Sequence, residues 1–131
     1  MTVSVLSQTL PAGSLVATLP LAALEPEQGA AVLLRDGTSA AVFLLHNGSV
    51  HAVGNLDPCY GAPVVCHGVV GDRDGTPTVA SPLGKQVFCL RTGRCLDDPQ
   101  TWLPVFRTEV SGGVILLSSA GNRCETGPCP S

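Results

Sequence analysis

The chain alternates short apolar runs with turn-forming residues, and this alternation restricts the fold more than any other feature of the sequence. Runs rich in Val, Ala, Leu and Ile are separated by Gly, Pro, Asn and Asp, and no segment keeps a 3.6-residue apolar period. The pattern is typical of an all-β sandwich or barrel. It predicts strands at 15–18, 31–34, 40–45, 49–53, 64–70, 78–80, 87–90, 105–110 and 114–118.

Turn signals between these runs predict antiparallel hairpins. The strongest is Asn47-Gly48, because this pair accepts positive φ at both central positions of a type I′ turn. Weaker signals of the same kind lie at 36–37, 91–94 and 111–113. Residues 20–28 have room for one helical turn, which Pro26 would cut short.

Length and composition indicate one domain. A chain of 131 residues is large enough to bury a core without disulfides, and we expect that domain to span residues 14–118. Residues 1–13 and 119–131 are rich in Gly, Pro, Ser and Thr, so we expect two flexible tails. Charged residues make up only 13% of the chain, against about a quarter in an average domain, which leaves apolar surface that a partner could cover.

Several classes of protein are excluded by charge and hydropathy. The net charge of −3 and the lack of a basic run argue against nucleic acid as a partner. No apolar stretch approaches the roughly 20 residues of a membrane-spanning helix. The N-terminus lacks the basic and apolar regions of a secretory signal, so we expect a cytoplasmic protein whose six cysteines are mostly thiols.

Two segments carry a family resemblance. These are "NLDPCYGAPVVCHGVVGD" at 55–72 and "VASPLGKQVFCLRTGRCLDD" at 79–98. They resemble the two cluster-binding loops of Rieske proteins, where a Gly-Ala-Pro-Leu element follows the first ligand pair and a Phe and a Leu-x-Thr-Gly turn follow the second. The resemblance implies an all-β, Rieske-like antiparallel sandwich in which residues 54–98 form a small subdomain derived from the cluster loops.

The four ligand positions of that pattern are all changed. Asn55 and Asp57 fall where the first Cys and His would stand, and Ser81 and Gly84 fall where the second pair would stand. A Rieske cluster needs two thiolates and two imidazoles. This set supplies neither, so we expect no metal on this chain, and we hypothesise that Asn55 and Asp57 replace metal bonds with hydrogen bonds between the loops.

The combination of Asn-x-Asp-Pro, Gly-Val-Val-Gly-Asp and Val-Ala-Ser-Pro-Leu with Lys-Gln is similar to the small subunits of assimilatory NAD(P)H-dependent nitrite reductases. That resemblance implies a large subunit that carries FAD, siroheme and an iron–sulfur cluster and reduces nitrite to ammonium with NAD(P)H. It implies an accessory subunit without catalytic residues or catalysis of its own. In redox-active relatives the loop tips face the partner, so the candidates for docking are Asn55, Asp57, Pro58, Cys59, Tyr60, Ser81, Pro82, Leu83, Lys85 and Arg91.

Alternatives remain open from the sequence. Four cysteines in or near the loops could hold an unusual iron–sulfur cluster and make the chain an electron carrier: Cys59, Cys66, Cys89 and Cys95. Their spacing matches neither the cysteine pairs of zinc sites nor the closely spaced cysteines of ferredoxins. Cys124 and Cys129 could form a disulfide under oxidation. A Rieske-fold scaffold module unrelated to nitrite is the other alternative.

No catalytic histidine is predicted. Cys66 and His67 are adjacent on a predicted strand and would point to opposite faces. His46 and His51 have no acidic or thiol neighbour at a useful spacing along the chain.

Overall fold

The structure is a computed structural model, and it describes residues 15–35, 37–98 and 100–119. The described residues form nine antiparallel strands in two sheets: β1 (Leu15–Pro20), β2 (Gly29–Leu33), β3 (Ser39–Leu44), β4 (Val50–Gly54), β5 (Val69–Arg73), β6 (Thr76–Ala80), β7 (Val87–Cys89), β8 (Val105–Ser111) and β9 (Val114–Ser119). Short 3-10 helices lie at Leu21–Ala23 and Val65–His67. The predicted all-β antiparallel class is confirmed.

The larger sheet has the order β1-β9-β8-β4-β3-β2, and the smaller sheet has the order β5-β6-β7. Strand β3 is buried on both faces because it separates two apolar cores. Ala40 and Val42 point into the first core, and Ala41 and Phe43 point into the second. Two-sided burial explains why this strand reads as one continuous apolar run.

The second core joins the two sheets. Phe43 and Val53 of the large sheet meet Val79 and Phe88 of the small sheet there, and all four are fully buried. The chain leaves β4 and β6 into two neighbouring loops beyond this core. We call residues 55–64 the first loop and residues 81–86 the second loop, and the surface that they form together is the tip.

One predicted strand is wrong. Residues 64–70 do not form a single strand, because Val65–His67 is a 3-10 turn and β5 begins only at Val69. Val65 and Cys66 are buried under this turn, whereas His67 is exposed. Cys66 is therefore buried and His67 exposed because of the turn, and not because side chains alternate along a strand.

The β3–β4 hairpin also differs from the prediction. Only Gly48 has positive φ, at 90°, whereas Asn47 does not. Gly48 N–H donates to the carbonyl of Leu45, so the hairpin has a longer loop than a type I′ turn. Positive φ at both central positions occurs instead at Asp74-Gly75, which joins β5 to β6, and at Gly112-Gly113, which joins β8 to β9 in the predicted turn 111–113.

Both predicted tails and the turn residue Asp36 fall wholly or almost wholly outside the described residues. Among the residues that the structure describes, no helix is long and apolar enough to span a membrane.

Candidate functional site: the paired loops of the tip

The two loops of the tip have the same backbone design. Gly61 N–H donates to the carbonyl of Asp57 at 2.7 Å, and Lys85 N–H donates to the carbonyl of Ser81 at 3.0 Å. The last residue of each turn is left-handed, with φ of 69° at Gly61 and 63° at Lys85. A lysine in this region costs about 1 kcal/mol or more, so the surrounding structure holds the second loop in place.

Asp57 connects the two loops through its side chain. It is fully buried, and its Oδ2 accepts a hydrogen bond from the Ser81 hydroxyl. Its Oδ1 accepts backbone N–H bonds from Cys59 at 2.8 Å and Tyr60 at 3.1 Å. One carboxylate therefore orders its own loop and ties it to the first residue of the other.

Asn55 anchors the first loop to the body of the domain. Its Oδ1 accepts the N–H of Cys66 at 2.8 Å, and its Nδ2 donates to the Ser39 hydroxyl at 3.1 Å and the Pro63 carbonyl at 3.3 Å. The residue is 2% exposed. The hydrogen bond between the loops that we hypothesised is present at Asp57, whereas Asn55 bonds to β3, to its own loop and to the 3-10 turn.

Gly84 makes room for an aromatic ring. A Cβ atom at Gly84 would lie 3.1 Å from Cε2 of Tyr60, so the Tyr60 ring lies directly against the glycine. Beside this contact the Cys59 thiol donates to Oε1 of Gln86 at 2.6 Å. The position where the resemblance places an imidazole is thus covered by a ring from the opposite loop.

These residues do not fit a [2Fe–2S] cluster. Of the four positions, Asn55 and Asp57 hold an amide and a carboxylate, Ser81 holds a hydroxyl and Gly84 has no side chain. A Rieske cluster requires thiolates on one iron and imidazoles on the other. The polar groups present are instead hydrogen-bonded, and Asp57 and Ser81 touch each other directly where a cluster would need to separate the loops.

The described cysteines do not form an alternative metal site in place of the missing Rieske ligands. Cys59 is exposed, Cys66 and Cys95 are free and buried, and Cys89 is disulfide-bonded. Burial raises the pKa of the Cys66 and Cys95 thiols, which disfavours the thiolate that binds metal. Within the described ranges no three His, Cys, Asp or Glu side chains are grouped as a metal site requires. Cys124 and Cys129 lie outside those ranges.

The outer surface of the tip is apolar. Leu56 is 55% exposed, Tyr60 is 58% exposed and Leu83 is 47% exposed. Pro58, Cys59, Pro82 and Lys85 are also exposed there, whereas Asn55, Asp57 and Ser81 are buried beneath. Buried polar residues therefore hold the tip together, and its exposed surface is mostly apolar.

One docking candidate lies apart from the tip, and one exposed residue of the tip is not among the candidates. Arg91 follows β7 and lies near the start of β6, since Leu90 N–H donates to the Pro77 carbonyl, and it lines a cleft far along the sheet from Lys85. The exposed residue is Leu56. It stands between two residues that point inward, and this alternation was the signal that would have placed its side chain on the outside.

Comparison with known proteins agrees with this geometry. Residues 14–118 match the family described as Rieske-like [2Fe-2S] domain, so the fold and the paired loops define a Rieske-like protein. The chain is 36% identical over 92 residues to the nitrite reductase (NADH) small subunit of Escherichia coli K12, which covers 70% of this chain and 85% of that protein. The chain belongs to the family of nitrite reductase small subunits.

Two further relatives are informative. A crystal structure of an NADH-dependent nitrite reductase small subunit from Mycobacterium tuberculosis superposes with a TM-score of 0.75 at 43% identity, over 84% of this chain and 96% of that one. The nitrite reductase [NAD(P)H] large subunit of Klebsiella oxytoca is 32% identical over 92 residues, which is 70% of this chain but 10% of that protein. In that organism a domain of this kind is part of the large polypeptide.

Proposed function

We propose that this chain is a non-catalytic accessory subunit of a cytoplasmic assimilatory NAD(P)H nitrite reductase, that it carries no cluster, and that it docks through its tip onto the large subunit. In this proposal the large subunit holds FAD, siroheme and an iron–sulfur cluster and reduces nitrite to ammonium. The small subunit supplies a shaped surface and no reacting group.

The observation that carries the proposal is the Klebsiella oxytoca relative. A region similar to 70% of this chain is covalently joined to a nitrite reductase large subunit there. Fusion of two polypeptides in one organism indicates that their counterparts bind each other where they are separate chains. The large subunit is therefore the partner that we propose for the tip.

The chemistry of the tip supports docking there. Three large apolar side chains, Leu56, Tyr60 and Leu83, are about half exposed on two loops whose backbone is fixed by buried hydrogen bonds. A rigid, pre-organised surface loses little entropy on binding, and tyrosine is a favoured anchor of protein interfaces. Lys85 adds one positive charge that would favour an acidic rim on the partner.

The electron-carrier alternative loses support, because the four cysteines near the loops do not converge. A scaffold unrelated to nitrite is disfavoured by the similarity to nitrite reductase small subunits. The accessory role is thus the function that the geometry supports best.

The experiment compares matched surface variants in binding to purified large subunit. Leu83→Ser changes an apolar side chain of the tip that is 47% exposed, and Val110→Ser changes one on β8 that is 45% exposed. The start of β8 pairs with β4, and Val110 lies at the other end of β8, at the β8–β9 hairpin. Val110 is therefore remote from the tip. We expect Leu83→Ser and Tyr60→Ser to weaken binding by roughly tenfold or more, the usual effect of losing an interface anchor.

Val110→Ser should bind as the unaltered chain does. Equal weakening by Leu83→Ser and Val110→Ser would place the interface elsewhere. Full binding by the double variant Tyr60→Ser, Leu83→Ser would refute docking through the tip.

A further inference from the structure

A second polar site lies at the end of the domain opposite the tip. The β3–β4 hairpin, the β5–β6 hairpin and the turn after β7 enclose a cleft of about 340 Å³. This volume is within the range of small-molecule sites, roughly 300–1,000 Å³. The side chains that matter for its chemistry are Arg91, His51, Ser49, His46, Glu27 and Asp72.

The carboxylates of the cleft already have partners. Asp72 Oδ2 accepts the N–H of Gly75 at 3.1 Å within the β5–β6 turn. Glu27 Oε1 lies 3.8 Å from His46 Nε2. Arg91 therefore has no carboxylate within salt-bridge distance in the part of the chain that the structure describes, and its guanidinium is the one permanent positive charge on the cleft wall.

A hydrogen-bonded chain beside Arg91 orients His51. The Ser49 hydroxyl donates to Asn47 Oδ1 at 2.7 Å, so its oxygen is left to accept from His51 Nε2, which is 3.2 Å away. This fixes the proton of the neutral ring on Nε2 and leaves Nδ1 able to accept another. Burial and the nearby charge of Arg91 lower the pKa of His51, so the ring is neutral near pH 7.

We propose that this cleft binds a small planar oxyanion, a carboxylate or nitrite, through the fork of Arg91, with a proton taken up at Nδ1 of His51 as the second donor. Two oxygens on one atom match the two parallel N–H groups of a guanidinium. The proposal does not depend on the docking of the tip, because the two sites lie at opposite ends of the domain.

The same geometry makes anion binding depend on pH. A negative charge placed between Arg91 and His51 offsets the repulsion that disfavours the imidazolium, so binding promotes uptake of a proton at Nδ1. By linkage, the anion binds more tightly as the pH falls through the titration of His51. Glu27, His46 and Asp72 also face the cleft.

The test is NMR titration of the isolated full chain with sodium acetate, sodium nitrite and, as a control, sodium chloride at equal ionic strength. We expect saturable shifts at Ser49, His51, Gly75 and Arg91 with acetate or nitrite and none with chloride. Saturation by acetate alone would identify the site as a carboxylate site, and saturation by nitrite alone would link it to the substrate of the proposed complex. The absence of saturation with both oxyanions would overturn the proposal.

Matched variants separate a site from general charge attraction. Arg91→Gln should weaken anion binding by about tenfold, the loss expected for a charge-assisted pair. The affinity of Arg91→Lys should lie between those of Arg91→Gln and the unaltered chain. Arg107→Gln removes an equal charge from an exposed position on β8 and should have no effect. Equal weakening by Arg107→Gln and Arg91→Gln, or an affinity that does not rise as the pH falls from about 8 to about 5, would contradict the proposal.

Discussion

The Ser81 hydroxyl donates a hydrogen bond to the buried Asp57 carboxylate and so links the first residues of the two loop turns directly. In a Rieske protein the corresponding loops are joined through iron. Here the link is made by the Ser81 hydroxyl and the Asp57 carboxylate. The other oxygen of that carboxylate accepts the backbone N–H groups of Cys59 and Tyr60. In our proposal these hydrogen bonds take the structural role that the metal has in a Rieske protein.

The first prediction concerns the stability of this link. Asp57→Ala removes the acceptor of three hydrogen bonds and should lower the free energy of unfolding by about 3 kcal/mol, because a buried hydroxyl and two N–H groups lose their partner. Chemical denaturation measures the change. Asp72→Ala, which removes an exposed turn carboxylate, should cost about 0.5 kcal/mol or less. Equal costs for the two variants would show that Asp57 is not a structural link.

A double-mutant cycle tests the pair itself. Ser81→Ala should be less destabilising than Asp57→Ala, and the double variant should cost less than the sum of the two, with a coupling of roughly 1–3 kcal/mol. Additive costs would mean that the hydroxyl and the carboxylate do not interact.

Gly93 and Gly48 should differ in their tolerance of alanine. Both have positive φ, at 79° and 90°, but a Cβ at Gly93 would lie 2.0 Å from the Leu103 carbonyl oxygen, whereas a Cβ at Gly48 meets nothing within 4 Å. Gly48→Ala should cost about 1 kcal/mol from backbone strain, and Gly93→Ala should cost at least about 3 kcal/mol because backbone must also move. Thermal unfolding gives the comparison, and similar midpoints would contradict it.

Stability should fall on the acid side because of His51. Its pKa is lowered in the folded protein by burial and by Arg91, so below about pH 6.5 the unfolded chain takes up a proton that the folded chain resists. The free energy of unfolding therefore decreases as the pH falls through the window between the unfolded and the lowered folded pKa. His51→Gln should flatten this part of the pH profile in chemical denaturation, and an unchanged slope would refute the assignment.

Cys59 offers a footprint of the docked state. Its thiol is exposed at the tip, whereas Cys66 and Cys95 are buried. Alkylation followed by peptide mass spectrometry should modify Cys59 before those two in the isolated chain. Bound large subunit should protect Cys59, and undiminished labelling in a verified complex would exclude the tip from the interface.

The order and approximate position of the strands could be read from the sequence, because turns and apolar runs are local signals. The exception, 64–70, shows the limit of that reading, since an apolar run does not distinguish a strand from a buried 3-10 turn followed by one. The contact between Tyr60 and Gly84 and the remoteness of Arg91 from Lys85 depend on how the loops and sheets pack, and local patterns carry no information on either.

The measurement that tests the account most directly is anaerobic incubation of the purified chain with iron and sulfide, followed by iron analysis and paramagnetic resonance of the reduced sample. The account predicts no stoichiometric iron and no resonance from a [2Fe–2S] centre, because the four ligand positions offer no thiolate and no imidazole. One reduced [2Fe–2S] centre per chain would contradict it.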